Sequence, residues 1–300
     1  MAASRLSLVS LYGRYISRKY KLCGLSPATV EVDSETTIHF WGPKPNSPST
    51  GKPSLVLIHG FGPSSLFQWQ HQVRPLSDHF DLYVPDLVFF GGSTTNSSDR
   101  SEIFQAVSIA KLLDKLGLNR FSVMGTSYGG MVAYHMASMW PEKVEKVVIA
   151  SSAVNMVRKD QEEVAERGGV ERIEDLLLPR TSKQLRKLFR LMVFKRSPVL
   201  PDFLLNNLLR TLFAENRGVK LELLKGMIIG RDDMAHVSSL KEETLIVWGE
   251  HDQIFPLKKA IELKGLLGGK VQLEVLKKTS HIPQIENPKQ FNAIVKKFLC

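Results

Sequence analysis

The chain has 300 residues, of which 43% are hydrophobic and 23% charged. This is ordinary for a soluble globular protein and excludes collagen, coiled coil or disorder for the chain as a whole. Two cysteines, Cys23 and Cys300, exclude a disulfide scaffold or an all-cysteine zinc site and suit a reducing, cytoplasmic compartment. The formal net charge of +10 lies in two acid-free stretches: Arg5, Arg14, Arg18, Lys19 and Lys21 within 1–30, and Arg180, Lys183, Arg186, Lys187, Arg190, Lys195 and Arg196 within 180–196. The rest of the chain is close to neutral. No helix-turn-helix, zinc-finger or RNA-recognition signature accompanies the charge, so no nucleic-acid partner is expected.

Residues 1–28 are expected to form a basic N-terminal helix. Leu8, Leu11, Tyr12, Tyr15 and Ile16 fall near helical spacing, which fits a surface helix packed on the domain. The same basic, serine-containing segment also fits an organellar transit peptide. No apolar run reaches the length a membrane-spanning helix needs.

Thr29 to Val32 and Thr37 to Trp41, joined by Asp33-Ser34-Glu35, predict an antiparallel hairpin. Pro43 to Pro53 predicts a polar loop. From residue 54 onward, short apolar runs alternate with longer periodic segments, the pattern of a parallel sheet flanked by helices. The predicted strands are Ser54 to Ile58, Leu82 to Val84, Phe121 to Met124, Val144 to Ile149, Thr244 to Val247 and Val271 to Leu276. Ser101 to Leu116, stopped by Gly117, and a last helix opened by Asn287 and Pro288 show clear helical punctuation.

About 90 residues without a convincing strand separate Ile149 from Thr244; they are charged, leucine-rich and helical in pattern. The expected division is a core of 29–153 and 242–300 with a helical lid of 154–241. In the lid, Leu185, Leu188, Phe189 and Met192 form an apolar stripe, with Lys183, Arg186, Lys187 and Arg190 opposite. Such a basic amphipathic helix is a solvated face, or else a contact for anionic membrane through 180–196. The run from Leu200 to Phe213 is apolar enough to suggest a hydrophobic substrate as well as simple packing.

Gly125-Thr126-Ser127-Tyr128-Gly129 directly follows a predicted strand and precedes the helical run Met131 to Met139. A strand-to-helix turn this tight needs small neighbours so that a strained serine projects above the sheet. Serine is a poor nucleophile without a base, which itself needs an orienting acid. His281, on the loop after the last strand, is the preferred base, with His251 a rival. Asp252, after the strand ending near Val247, is the preferred acid and Glu250 the runner-up; Asp86 is expected to organise a loop. The chain order Ser127, Asp252, His281 fits this constellation. Backbone amides of Phe61, in His59-Gly60-Phe61-Gly62, and of Tyr128 are the candidate oxyanion donors. His59 is expected to serve loop geometry.

With HGFG at 59–62, VPDLVFFGGS at 84–93, GTSYGG at 125–130, WGEHD at 248–252 and SHIPQIENP at 280–288, the sequence resembles the α/β-hydrolase superfamily from about Val32 to Cys300. Within it, the chain is similar to plant serine hydrolases related to monoacylglycerol lipases and to bacterial meta-cleavage-product hydrolases. The resemblance implies an α/β fold with a mostly parallel eight-stranded sheet, and a helical lid inserted after the sixth strand. It also implies a Ser127, His281, Asp252 triad with Phe61 and Tyr128 as the oxyanion hole, and no cofactor or metal. The implied activity is hydrolysis of a small-molecule carboxylic ester; the chain itself is expected to be a monomer. The meta-cleavage hydrolases usually carry tryptophan after the catalytic histidine and asparagine before the nucleophile, where this chain has Ile282 and Thr126. A triad-bearing receptor with slow turnover, or a carbon–carbon bond hydrolase, are the alternatives.

Overall fold

The computed structural model describes residues 7–44, 51–195 and 200–300. Arg5, Arg196 and most of the loop expected from Pro43 to Pro53 lie outside the described residues. A helix α1 (Leu8–Leu22) leads into β1 (Leu25–Glu31) and β2 (Thr36–Pro43), the expected hairpin, paired antiparallel from Leu25 opposite Pro43 to Glu31 opposite Thr37. The Asp33 carboxylate closes the turn by accepting from the Glu35 and Thr36 amides.

The alternating region follows as β3 (Ser54–Ile58), α2 (Ser65–Gln68), α3 (Val73–Ser77), β4 (Asp81–Pro85), β5 (Thr94–Thr95), α4 (Glu102–Lys115), β6 (Phe121–Thr126), α5 (Tyr128–Met139) and β7 (Val144–Ala150). After an all-helical insertion come β8 (Glu243–Gly249), α11 (Leu257–Leu267), β9 (Val271–Leu276), α12 (Pro283–Glu286) and α13 (Pro288–Leu299). The insertion holds α6 (Arg158–Gly168), α7 (Ile173–Leu177), α8 (Ser182–Met192), α9 (Asp202–Leu208), a π-helical turn at Leu209–Phe213 and α10 (Arg217–Gly226).

The sheet runs β1-β2-β4-β3-β6-β7-β8-β9, parallel from β4 to β9 and antiparallel at β1 and β2. These are the eight expected strands. A ninth, β5, pairs with β2, so the insertion follows the seventh strand rather than the sixth. Two threonines are too short a run to display the period-2 pattern by which a strand is read.

The central strands carry apolar side chains on both faces because helices cover both. Val56, Ile58, Val123, Val147 and Ile149 point into a core shared with α4, α5 and α11. Their neighbours Leu55, Leu57, Met124 and Val148 face a second core closed by α1, α3 and α13. Each of these side chains is fully buried, a contribution of roughly 1.5–3 kcal/mol apiece relative to exposure. The Ser101 hydroxyl caps α4 by accepting from the Phe104 amide, and Gly117 (φ 73°) ends it in the left-handed region. Asn287 precedes α13 as expected, but its side chain donates to Gln290 rather than capping the backbone.

The N-terminal helix is shorter than the expected 1–28, because Leu25 to Ala28 already belong to β1, and of the expected stripe only Ile16 is buried. Val9, Gly13, Ile16 and Tyr20 pack on the domain, and the Cβ of a residue at Gly13 would lie 3.2 Å from the Phe67 ring. Leu8, Leu11, Tyr12 and Tyr15 are exposed by 45–56%. The helix carries apolar residues on two adjoining stripes, and helical spacing alone does not tell which one meets the domain; the buried one includes small Gly13, which sits against Phe67 of α2.

Candidate active site

Ser127 stands between β6 and α5 with φ 51° and ψ −124°, a left-handed conformation that costs a non-glycine residue of order 1–3 kcal/mol. Neighbouring glycines make the turn possible. A Cβ on Gly125 would lie 2.0 Å from the Gly129 carbonyl oxygen, and one on Gly129 would lie 2.3 Å from the His59 carbonyl oxygen. The Ser127 amide donates to Ala150 on β7 (2.9 Å) and its carbonyl accepts from Gly130 (2.9 Å), which fixes the turn on both sides.

The loop after β9 brings His281 to this turn. His281 Nε2 lies 3.0 Å from Ser127 Oγ, and its Nδ1 lies 2.9 and 3.2 Å from the two Asp252 carboxylate oxygens. Asp252 is held in turn: one oxygen accepts from the Ile254 and Phe255 amides, each at 2.9 Å. The Phe255 ring meets the imidazole edge-on with centroids 5.4 Å apart. Both His281 and Asp252 are buried. The three residues singled out in the sequence therefore form one hydrogen-bonded line.

Phe61 and Tyr128 border the same space, and neither amide has an acceptor among the described residues. His59 stiffens the loop carrying Phe61: Nδ1–H donates to the Gly60 carbonyl (2.8 Å), and Nε2 accepts from the Leu87 amide (3.0 Å). Burial pushes the His59 pKa down, which keeps it neutral for this paired role. Gln68 Oε1 accepts from the Gly60 amide at 3.3 Å.

The rival residues stand elsewhere. Glu250 and His251 pair with each other at 3.3 Å, half-exposed, with His251 stacked on Phe194. Asp86 organises a loop as expected: its carboxylate meets His39 Nδ1 (2.8 Å) and accepts from the Ser65 hydroxyl and amide (2.7 and 2.9 Å). Burial pushes its pKa up, but these partners and nearby His59 outweigh that and hold it below the usual carboxylate range.

Ser127 and His281 open into a cavity of about 250 Å³. Its walls come from both parts of the chain: Phe67 and Met131 from the core, Met156, Ile173, Leu177, Leu188, Phe189 and Met192 from the first part of the insertion, and Leu208, Leu212 and Phe213 from the second. The residues expected to form an apolar run at 200–213 divide accordingly: Phe203 is exposed, Leu205 and Leu209 are buried without lining the cavity, and Leu208, Leu212 and the buried Phe213 line it. The π-helical turn carries two of these, where its extra residue re-aims side chains. No lysine or arginine lines the cavity among the described residues, nor does any group of three or more metal-ligating side chains occur.

Glu286 was not anticipated from the sequence. Its carboxylate accepts from the Ser280 amide (2.6 Å) next to His281 and from the Phe194 and Lys195 amides (2.8 and 3.3 Å) just past α8. Ser280 Oγ donates to the Leu191 carbonyl, and the His281 amide donates to the Met192 carbonyl. The loop carrying His281 is thus tied to the end of a helix of the insertion. No short motif encodes this, because the partners lie some 90 residues apart.

A 2-hydroxy-6-oxononadienedioate/2-hydroxy-6-oxononatrienedioate hydrolase of Pseudomonas putida is 28% identical over 278 residues, 89% of this chain and 93% of that protein. A bacterial membrane phospholipase A superposes with a TM-score of 0.79 at 24% identity, over 97% of this chain and 91% of that one. The Bacillus subtilis carboxylesterase CesB superposes with a TM-score of 0.71 at 22% identity, over 97% and 98% of the respective chains. The family model described as alpha/beta hydrolase fold matches residues 53–217, more than half of the chain and from β3 into the insertion. With that match and the sheet order above, the chain belongs to the α/β-hydrolase fold family.

Proposed function

We propose that this hydrolase cleaves a carboxylic ester with an apolar acyl group through a covalent acyl-enzyme. The observation that carries this is the hydrogen-bonded line Ser127–His281–Asp252 opening into a cavity walled by leucine, methionine and phenylalanine. Ser127 Oγ attacks the ester carbonyl while His281 Nε2 takes its proton, and Asp252 holds Nδ1–H and steadies the imidazolium. The Phe61 and Tyr128 amides donate to the oxyanion. The tetrahedral intermediate collapses as His281 returns the proton to the leaving alkoxide. Water, deprotonated by the same histidine, then attacks the acyl-enzyme and releases the carboxylic acid and Ser127.

In this reading residues 154–241 act as a lid that supplies most of the acyl-binding wall. Membrane contact through 180–196 has weaker support, since Arg186 is engaged by Asp202 and the Leu200 carbonyl, and Lys187 by the Gly169 carbonyl. Cys23 and Cys300 are both free thiols, which suits a cytoplasmic location.

Carbon–carbon bond hydrolysis is the second reading, favoured by the likeness to the Pseudomonas putida protein. A dioate carries two carboxylates, and among the described residues no lysine or arginine lines the cavity to meet them, so the ester is preferred. The test is fluorophosphonate labelling followed by turnover of p-nitrophenyl esters of graded acyl length. Labelling with steady turnover, both abolished by Ser127→Ala, supports the proposal. Labelling without turnover indicates a receptor, and folded protein that does not label refutes the assigned nucleophile.

A further inference from the structure

The exposed stripe of α1 has the makings of a docking surface. Leu8, Leu11, Tyr12 and Tyr15 recur at i, i+3, i+4 and i+7 and are each about half-exposed, while the opposite stripe is buried. Leu22, one turn past Arg18, is 81% exposed. A soluble surface normally scatters its exposed apolar residues singly. Basic side chains flank the stripe: Arg18, Lys19 and Lys21 are exposed, Lys19 lies over the Tyr15 ring at 4.6 Å, and residues 1–30 contain no acid.

Two further contacts give the stripe a direction. Tyr12 donates a hydrogen bond to Gln70, and Gly13 packs on Phe67; Gln70 and Phe67 both line the cavity above Ser127. Gln70 also borders a second cavity of about 250 Å³ between α1 and α3, edged by Lys19 and Arg74. The apolar stripe, a cation-edged notch and the wall of the substrate cavity therefore adjoin one another.

We propose that α1 rests on an anionic phospholipid bilayer, with Leu8, Leu11, Tyr12 and Tyr15 among the acyl-chain boundary and Lys19, Arg18, Lys21 and Arg74 at headgroup phosphates. Tyrosine suits that depth because its ring is apolar and its hydroxyl polar, and lysine and arginine reach outward from an apolar stem. The net positive charge of the segment matches the bilayer sign. This deepens the ester reading by naming a lipid surface as the source of substrate, but docking itself rests only on α1.

The test uses the full chain as Ser127→Ala, so that bound lipid is not consumed and binding is measured apart from catalysis. Co-sedimentation is compared on phosphatidylcholine vesicles with and without phosphatidylglycerol. Binding is expected to require phosphatidylglycerol, to fall with salt, and to weaken at least about tenfold in Leu8→Ser/Leu11→Ser/Tyr15→Ser and in Arg18→Glu/Lys19→Glu. The side chains substituted on α1 are all exposed, and circular dichroism checks that each variant is folded. The charge-reversal pair is decisive if the apolar triple does not fold. No vesicle binding overturns the proposal, as does binding that both α1 variants leave intact but Arg186→Glu/Lys187→Glu removes. A dimer in solution that Leu11→Ser dissociates, without vesicle binding, assigns the stripe to a second copy and also overturns it.

Discussion

Removing the Glu286 carboxylate tests whether the insertion helps aim His281. In Glu286→Ala the Ser280 amide, fully buried, loses its 2.6 Å acceptor, whereas the Phe194 amide beside an exposed side chain can turn to water. One buried, unsatisfied amide costs about 1–3 kcal/mol of stability. The loop is still anchored by Ser280 Oγ to Leu191 and His251, so it should shift rather than unfold. A displacement near 1 Å of a reacting group costs on the order of 100-fold in rate. We therefore expect kcat to fall about 10- to 100-fold on a p-nitrophenyl ester with little change in KM. Glu286→Gln, which keeps an oxygen acceptor, is expected to recover most of the loss. Urea unfolding reports the stability change and steady-state kinetics the rate. A variant that loses stability yet keeps its kcat refutes the reasoning and leaves Glu286 a structural tether.

Other expectations follow from the same contacts. Ser127→Ala and His281→Gln should each abolish ester turnover in folded protein, and Asp252→Asn should lower kcat by roughly 10⁴-fold, measured with burst kinetics to separate acylation from deacylation. Gly129→Ala places a Cβ 2.3–2.4 Å from the His59 and Ile58 carbonyl oxygens, so about 3 kcal/mol or more of stability should be lost, with activity, in a urea titration. Asp86 has its folded pKa held below the unfolded value, so its contribution is complete above the unfolded pKa and disappears as pH falls through the folded one. Asp86→Asn should therefore flatten the acid limb of Tm against pH, and an acid limb as steep as the parent's would refute that role. Leu212→Trp narrows the cavity and should raise KM for long acyl esters more than for short ones.

The fold was legible where local chemistry and global position agree. Ser54–Ile58, an apolar branched run, and Val271–Leu276, which alternates apolar with polar residues, coincide with observed strands because each is bounded by turn residues and has no competing use. Ser127 was legible because the strained turn demands glycines that leave a written trace at 125 and 129. Asp252 and His281 each follow a strand of the parallel sheet, and strand ends on one edge converge whatever their separation in sequence. The cavity wall was legible only in part: Leu200 to Phe213 reads as leucine-rich throughout, and the division between packing and lining depends on the π-helical turn.

What stayed hidden depends on which of two equivalent surfaces meets a neighbour. Spacing groups Leu8, Leu11, Tyr12, Tyr15 and Ile16, yet the buried side of α1 is Val9, Gly13, Ile16 and Tyr20. The buried side is set by closeness of approach, since Gly13 admits the Phe67 ring of α2 where a larger residue would crowd it. Leu8, Leu11, Tyr12 and Tyr15 are left outside as a continuous apolar stripe. Glu286 is the same kind of case: a carboxylate in a terminal helical turn is unremarkable until the Phe194 amide, 92 positions away, is brought against it. Both features connect the insertion or the surface to the catalytic edge. The residues that perform the proposed chemistry could be read locally, and those that govern access to it could be read only from the packed chain.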